Sequence, residues 1–231
     1  TGAILAMATS SPANLNDYAT LDAVLADELK YSGLKSDSEE YSTLASNLRQ
    51  IMWSNKAVTE SYIPGSTFKI ITSSMALEEG KVSMTESVHC SGYKTLYGHR
   101  IHCHKVTGHG ALSFAEGLVQ SCNVWFMELG ERLGVEKYKN YVEMFGYTEK
   151  TGIDLPSEAS TIFHKEENIG ATELATASFG QRFKVSIISQ LRAVAAVANG
   201  GLLVEPYLVE KIIDKNGCVA FINIIKNIKK G

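Results

Sequence analysis

The sequence predicts an α+β fold, with a cluster of helices packed on an antiparallel sheet. Two patterns carry that reading. Apolar residues recur with helical period over 67–79, 113–120, 123–133, 135–145, 171–179 and 186–198. Extended apolar runs lie toward the two ends, at 2–9, 202–204, 208–213 and 218–224, and the last two flank the hairpin turn Asp214-Lys215-Asn216-Gly217. Helices and strands grouped separately along a chain point to an α+β arrangement.

The elements follow in order. Residues 2–9 read as a buried core strand in place of a natural terminus, so the chain is expected to come from a longer parent. Residues 11–55 are polar and mixed, with a charge-rich stretch from Lys35 to Glu40, and read as a long, partly helical and mobile excursion. Pro64-Gly65-Ser66 opens the helix at 67–79, and Gly80 closes it. Residues 89–110 hold five of the six histidines, two of the four cysteines and four glycines, which predicts a loop with a short hairpin. Ser113-Phe114-Ala115-Glu116 is a capping box that starts the next helix. Ile153-Asp154-Leu155-Pro156 is extended, and Asn199-Gly200-Gly201 ends the helix at 186–198. The basic, amphipathic segment 225–231 reads as a solvated tail, and the whole chain, 1–231, as one domain.

Composition narrows the function classes. The chain is 45% hydrophobic and 20% charged, enough apolar mass for a core. A formal charge of -3 gives no reason to expect nucleic acid. No run of about 18 apolar residues occurs, so no helix is expected to span a membrane.

Chemistry is concentrated around Ser66. Lys69 lies three residues on, so the two side chains share one face of the first helical turn. A serine hydroxyl needs an adjacent base to become a nucleophile, and a buried lysine with a depressed pKa can supply one. Amides at a helix start can stabilise a developing oxyanion. Ser-x-x-Lys occurs three times, at Ser32, Ser66 and Ser91, but only Ser66 follows Pro-Gly and opens a strongly apolar helix. Ser121-Cys122-Asn123 lies between two predicted helices. It offers a hydroxyl to relay a proton and an amide to hold a carbonyl, or simply a helix cap.

The longer strings Tyr62-Ile63-Pro64-Gly65-Ser66-Thr67-Phe68-Lys69-Ile70-Ile71, Gly108-His109-Gly110, Ser121-Cys122-Asn123, Thr151-Gly152-Ile153-Asp154-Leu155-Pro156 and Asn199-Gly200-Gly201 resemble class B penicillin-binding protein transpeptidase domains, in the family's order. The resemblance covers residues 1 to about 217. It implies the penicillin-binding, β-lactamase-like fold and a serine D,D-transpeptidase of bacterial cell-wall synthesis. Ser66 would form an acyl-enzyme with D-Ala-D-Ala stem peptides of peptidoglycan, Lys69 would be the base, Ser121 the proton shuttle and Asn123 the substrate holder. β-Lactams would acylate the same serine. The implied setting is the extracytoplasmic face of the cell membrane, with cell-wall synthesis proteins as partners. The alternatives are a non-catalytic relative that senses β-lactams or serves as a zinc-stabilised scaffold, and a serine β-lactamase.

Two departures from the family pattern stand out. Lys150-Thr151-Gly152 matches a third family motif in letters, but Ile153 and Pro156 follow it and Ser121 is close upstream, so it reads as a chance match. The working Lys-Thr-Gly strand is expected beyond residue 231, which would leave the sheet incomplete. Gly180-Gln181-Arg182-Phe183 carries Arg182 where the family often has glycine.

Zinc in a structural site takes four N or S ligands. Cys90, His102, Cys103, His104, His109 and Cys122 are candidates. Some elongation- and sporulation-type class B members resemble this arrangement, and that likeness implies Cys90, Cys103, His109 and Cys122 as zinc ligands. A Cys90–Cys103 disulfide and free buried cysteines are the other readings of the same residues. His99, His102 and His104 are expected at the surface or behind the ligands.

Overall fold

The computed structural model describes residues 1–10, 13–96, 98–163, 169–223 and 227–230, the last for their backbone alone. The stretch 11–55 resolves into two capped helices. The Asp22 carboxylate accepts from the amides of Val24 and Leu25 at the start of α1 (Ala23–Lys30), and Ser38 accepts from Tyr41 N at the start of α2 (Glu39–Trp53). Only α2 buries side chains, Ala45, Leu48 and Met52. Trp53 Nε1 and Arg49 Nε hold the preceding loop through the carbonyls of Tyr18 and Ala19.

α3 (Lys56–Thr59) and β1 (Ser61–Tyr62) lead to a 3₁₀ turn at Gly65–Phe68, which runs directly into α4 (Lys69–Glu78). α4 buries Lys69, Ile71, Thr72, Ser73, Met75 and Ala76, so it runs through the interior. The histidine-rich stretch contributes β2 (Ser87–Cys90), β3 (Tyr93–Leu96), β4 (His99–His102) and β5 (Gly110–Ser113). β3 and β4 form the expected hairpin, and β2 pairs with β5 across it. The Ser113–Glu116 capping box is formed at the head of α5 (Phe114–Val119). α6 (Asn123–Met144) breaks at Gly134, whose φ of 74° and ψ of 165° separate the two helices read from the sequence. α7 (Ala171–Ala177), β6 (Val185–Ser186), α8 (Ile187–Ala198), β7 (Leu202–Val204), β8 (Lys211–Ile213), β9 (Val219–Ile222) and β10 (Asn227–Lys230) complete the order.

Two apolar clusters join these elements. Phe114, Trp125, Phe126, Met127 and Leu129 pack with Cys90, Cys103 and Cys122. Phe68, Ile71, Met75, Tyr138, Tyr147 and Phe183 form the second cluster under α4. Several buried polar groups are paired, as burial favours, while among the described residues Ser73 Oγ, Gln190 Nε2 and Arg192 Nε have no hydrogen-bond partner. Tyr138 donates to Ala177 O at 3.0 Å, Tyr147 to Gln190 Oε1 at 2.7 Å, and Thr72 to Ser178 O at 2.9 Å. No helix among the described residues is long and apolar enough to cross a membrane.

The strands correct parts of the sequence reading. Among the described residues the sheet consists of five antiparallel two-stranded ladders. Residues 2–9 are no core strand. Only Ala3 bridges, to Tyr207 and in parallel sense, while Leu5 is 95% exposed. The apolar letters there serve packing, since Ile4 and Met7 rest on Val58, Ile153 and Ile188. The strand expected at 208–213 begins only at Lys211, because the Asp154 carboxylate takes the amides of Leu208 and Val209, each at 2.8 Å. β9 ends at Ile222, and residue 224 of the expected strand lies outside the described residues. The tail read as solvated contains β10, whose backbone pairs with β7. An open strand edge offers unpaired amides and carbonyls, and β10 satisfies them.

Gly180 shows how tightly the backbone closes around the start of α4. Gly65 N donates to Gly180 O at 2.8 Å, and Gly180 has φ +82°. A Cβ there would lie 2.0 Å from the Gly65 carbonyl oxygen. Gly180→Ala is expected to destabilise the fold by about 2–4 kcal/mol, from left-handed strain plus the backbone clash. Urea unfolding measures this, and a loss within experimental error would contradict the close approach.

Candidate active site

Ser66 lies in the 3₁₀ turn Gly65–Phe68, and Lys69 is the first residue of α4. The turn carries the chain into a helix whose interior face is apolar, so Lys69 is drawn in with it. Its side chain is 1% exposed. The ammonium has three N–H donors and no acceptor. Three acceptors meet it: Ser121 O at 2.7 Å, Ser121 Oγ at 2.9 Å and Asn123 Oδ1 at 2.7 Å. The rings of Phe126 and Phe179 lie 5.2 and 6.0 Å from Nζ. Burial pulls the Lys69 pKa down from 10.5 to about 8, against the opposing pull of the Cys103 and Cys122 sulfurs.

Ser121 donates to Ser66 Oγ at 2.9 Å. An unbroken hydrogen-bonded line therefore runs from Ser66 through Ser121 to Lys69, with Asn123 at its end. The residues converge because of the turn between α5 and α6. Ser121 has φ 51°, a left-handed conformation rare for a non-glycine residue. That twist lets its carbonyl and its hydroxyl face Lys69 together. Asn123 is the first residue of α6, and its Nδ2 reaches His102 O at 3.4 Å.

Gly65, Ser66, His104, Ser121, Asn123, Phe179 and Gln181 line a cleft of about 340 Å³. Sequence reasoning found Ser66, Ser121 and Asn123 and missed His104, Phe179 and Gln181 as cleft residues. Gln181 sits beside Arg182, whose φ of 66° occupies the left-handed region natural to glycine. The arginine side chain reaches Glu173 at 3.3 Å. Lys150-Thr151-Gly152 lies in a loop outside the cleft lining, with Thr151 N held by Glu158 Oε1 at 2.8 Å.

The four cysteine and histidine side chains singled out by the resemblance come together. One ligand atom from each of Cys90, Cys103, His109 and Cys122 lies within 4.8 Å of every other. The three cysteines are buried free thiols, with no disulfide between Cys90 and Cys103, and Cys218 is exposed on the β8–β9 side. Tetrahedral zinc with bonds of about 2.3 Å to sulfur and about 2.0 Å to nitrogen sets its ligands about 3.5–3.8 Å apart. Cys103 Sγ and His109 Nδ1, at 3.6 Å, already match that edge. The donor set therefore fits a metal ion. Without one, burial pushes the Cys122 thiol up to about 12. Burial also raises Cys103, but backbone amides of Lys105, Asn123 and Val124 outweigh it and leave that thiol below its ordinary value. Burial, with the charges of His104, Lys105 and Lys69, lowers His109. A metal ion would resolve the conflict by binding Cys122 as a thiolate. His99 and His102 are exposed at the two ends of the β3–β4 ladder, and His104 lies against the cluster, its Nδ1 3.8 Å from Cys103 Sγ. His164, the sixth histidine, lies outside the described residues.

The chain is 45% identical over 161 residues to stage V sporulation protein D of Bacillus subtilis, covering 69% of this chain and 25% of that protein. It is 30% identical over 219 residues to peptidoglycan D,D-transpeptidase MrdA of Acinetobacter baumannii, covering 90% of this chain and 30% of that one. The chain thus spans about a quarter to a third of the length of these relatives. In fold it is similar to the D,D-transpeptidase domain of a peptidoglycan glycosyltransferase from Eggerthella lenta, with a TM-score of 0.80 and 24% identity over all of this chain and 54% of that one. It is also similar to penicillin binding protein 3 of Mycobacterium tuberculosis complexed with ampicillin, with a TM-score of 0.69 and 24% identity over 77% of this chain and 40% of that one. The family model described as penicillin binding protein transpeptidase domain matches residues 1–230, and the chain belongs to that family.

Proposed function

We propose that this domain is a peptidoglycan D,D-transpeptidase, in which Ser66 is acylated by D-Ala-D-Ala stem peptides and by β-lactams. The observation that carries the reading is the line Ser66 Oγ, Ser121 Oγ, Lys69 Nζ, with links of 2.9 Å each, at the floor of an open cleft. With a pKa of about 8, Lys69 is neutral in about one molecule in ten at pH 7. In that form its lone pair accepts the Ser121 proton, and Ser121 accepts the Ser66 proton as Ser66 Oγ attacks the scissile carbonyl. The line of hydrogen bonds then runs opposite to its resting direction. The Ser66 amide, in the first turn of a helical segment, is free of an intrahelical partner and suits the developing oxyanion. Asn123 holds a donor-peptide amide as well as the lysine. An amine from a second stem peptide resolves the acyl-enzyme. This chemistry belongs at the extracytoplasmic face of a bacterial membrane, among proteins of cell-wall synthesis.

The metal reading is more specific than the geometry alone. The four-ligand set Cys90, Cys103, His109 and Cys122 suits a structural zinc ion, since three sulfurs and one imidazole leave no open coordination position. Bound there, the metal supplies structure rather than a reaction step. It ties β2 and the β4–β5 loop to the turn that carries Ser121 and Asn123.

Two measurements check these readings. Fluorescent penicillin should label the protein covalently, and Ser66→Ala should abolish labelling by at least about a thousandfold in rate. Labelling that persists in the alanine variant would exclude Ser66 as nucleophile. Elemental analysis should find one zinc per chain, and a strong chelator should lower the Tm by about 5–10 °C. An unchanged transition in a metal-free sample would refute the structural zinc.

A further inference from the structure

We propose that the exposed face of the β3–β4 hairpin, with Arg100 at its centre, is a subsite for a carboxylate on the donor stem peptide, carried by the residue ahead of the D-Ala pair. The inference deepens the transpeptidase reading and rests on it. Strand alternation sorts the hairpin into two faces. Leu96 is buried, Ile101 packs on the apolar core, and Lys94 pairs with Glu128 and Glu131 of α6, so these three turn inward. Tyr93, Thr95, Arg100 and His102 are exposed on the other face. Arg100 lies diagonally across the ladder from Tyr93, and its guanidinium sits 4.1 Å from the centroid of the Tyr93 ring. That contact holds the cation in place without neutralising it.

Charge selects the kind of ligand. Lys94 is matched by two glutamates, but among the described residues no carboxylate pairs with Arg100. The chain from Ser87 to Ala115 contains no Asp or Glu, although the whole protein carries a formal charge of -3. A guanidinium stacked on a ring keeps its N–H edges for a partner, and its planar fork matches a carboxylate.

Position selects which carboxylate. Cys103 N donates to Gly92 O at 2.8 Å, so Gly92 and Cys103 form a hydrogen-bonded pair and the adjacent Tyr93–His102 pair does not. The His102 carbonyl therefore points off the free edge of β4, where Asn123 Nδ2 meets it at 3.4 Å. Asn123 lines the cleft and holds the donor amide in the proposed reaction. The free edge of β4 thus continues the cleft wall on that side. An extended donor advances about 3.3 Å per residue, so the residue ahead of the D-Ala pair passes from Asn123 over that edge. Its side chain there meets the face that Arg100 presents.

The test uses two synthetic donor peptides ending in D-Ala-D-Ala. They are identical except that the residue ahead of the pair carries a side-chain carboxylate in one and the carboxamide in the other. The ratio of their kcat/KM values for release of D-Ala is the readout. The unaltered protein should favour the carboxylate donor about three- to tenfold, the scale of one partly exposed charge pair. The preference should lie in KM and should shrink as salt is raised. Arg100→Gln should bring the ratio near one by weakening the carboxylate donor alone, and Arg100→Lys should keep part of the preference. Labelling by fluorescent penicillin to full stoichiometry reports that each variant is folded. Equal use of the two donors by the unaltered protein would overturn the subsite, and so would an equal loss on both donors in Arg100→Gln. Inhibition by soluble poly(glycerol phosphate) that vanishes in Arg100→Gln, with no donor preference, would assign the face to an anionic polymer and overturn it too. Failure of penicillin to acylate the unaltered protein would instead overturn the transpeptidase reading.

Discussion

Lys69 is a cationic side chain taken out of water, and the site is arranged around that fact. An isolated buried ammonium is too costly to keep, so it must either lose its proton or find partners. This one has both routes at hand. Three acceptors from a single turn satisfy all its donors, and two aromatic rings complete the enclosure. The same burial lowers its pKa toward neutrality. A solvent-exposed lysine at the same spacing, such as would follow from a polar helix, would stay charged and could take no proton. The apolar interior face of α4 is therefore a chemical requirement as much as a packing one.

Holding that turn in place falls to its neighbours. Ser121 occupies a left-handed conformation, which costs of order 1–3 kcal/mol unless its surroundings impose it. Cys122 lies between Ser121 and Asn123 in the chain and is fully buried against Cys90 and Cys103. Two of the three sulfurs in the cluster sit next to cleft residues: Cys122 beside Ser121 and Asn123, Cys103 beside His104. On the opposite wall, Gly180 packs its bare backbone on Gly65 and fixes the turn that presents Ser66.

Local pattern made part of this legible. The Ser66–Lys69 spacing, the capping box at Ser113 and the break at Gly134 are short-range features, and each stands where the letters indicate. The spacing of Cys90, Cys103, His109 and Cys122 was readable as a set only through likeness to a family. Contacts such as Ser121 to Ser66 or Lys69 to Asn123 join residues more than fifty positions apart, and no periodicity encodes them. His104 was read as a surface residue or one behind the ligands, and its place on the cleft lining was missed because a histidine's direction on a loop depends on its neighbours, here Cys103 and His109. Gly180 escaped because its role is a missing Cβ. The opening run Ile4-Leu5-Ala6-Met7 misled in the other direction. Apolar letters in an extended segment imply a core strand only if a neighbour pairs along its length, and Ala3 alone is bridged.

The central claim is that burial turns Lys69 into the base that activates Ser66. The second-order rate constant for β-lactam acylation, measured from about pH 6 to 10, tests it directly. Because the proton-free lysine is the active form, the rate should rise with pH and reach half its maximum near pH 8. Lys69→Arg, whose guanidinium keeps its proton, should remove the rise and nearly all the rate. A rate flat across that range, or a rise that survives in the arginine variant, would contradict the account.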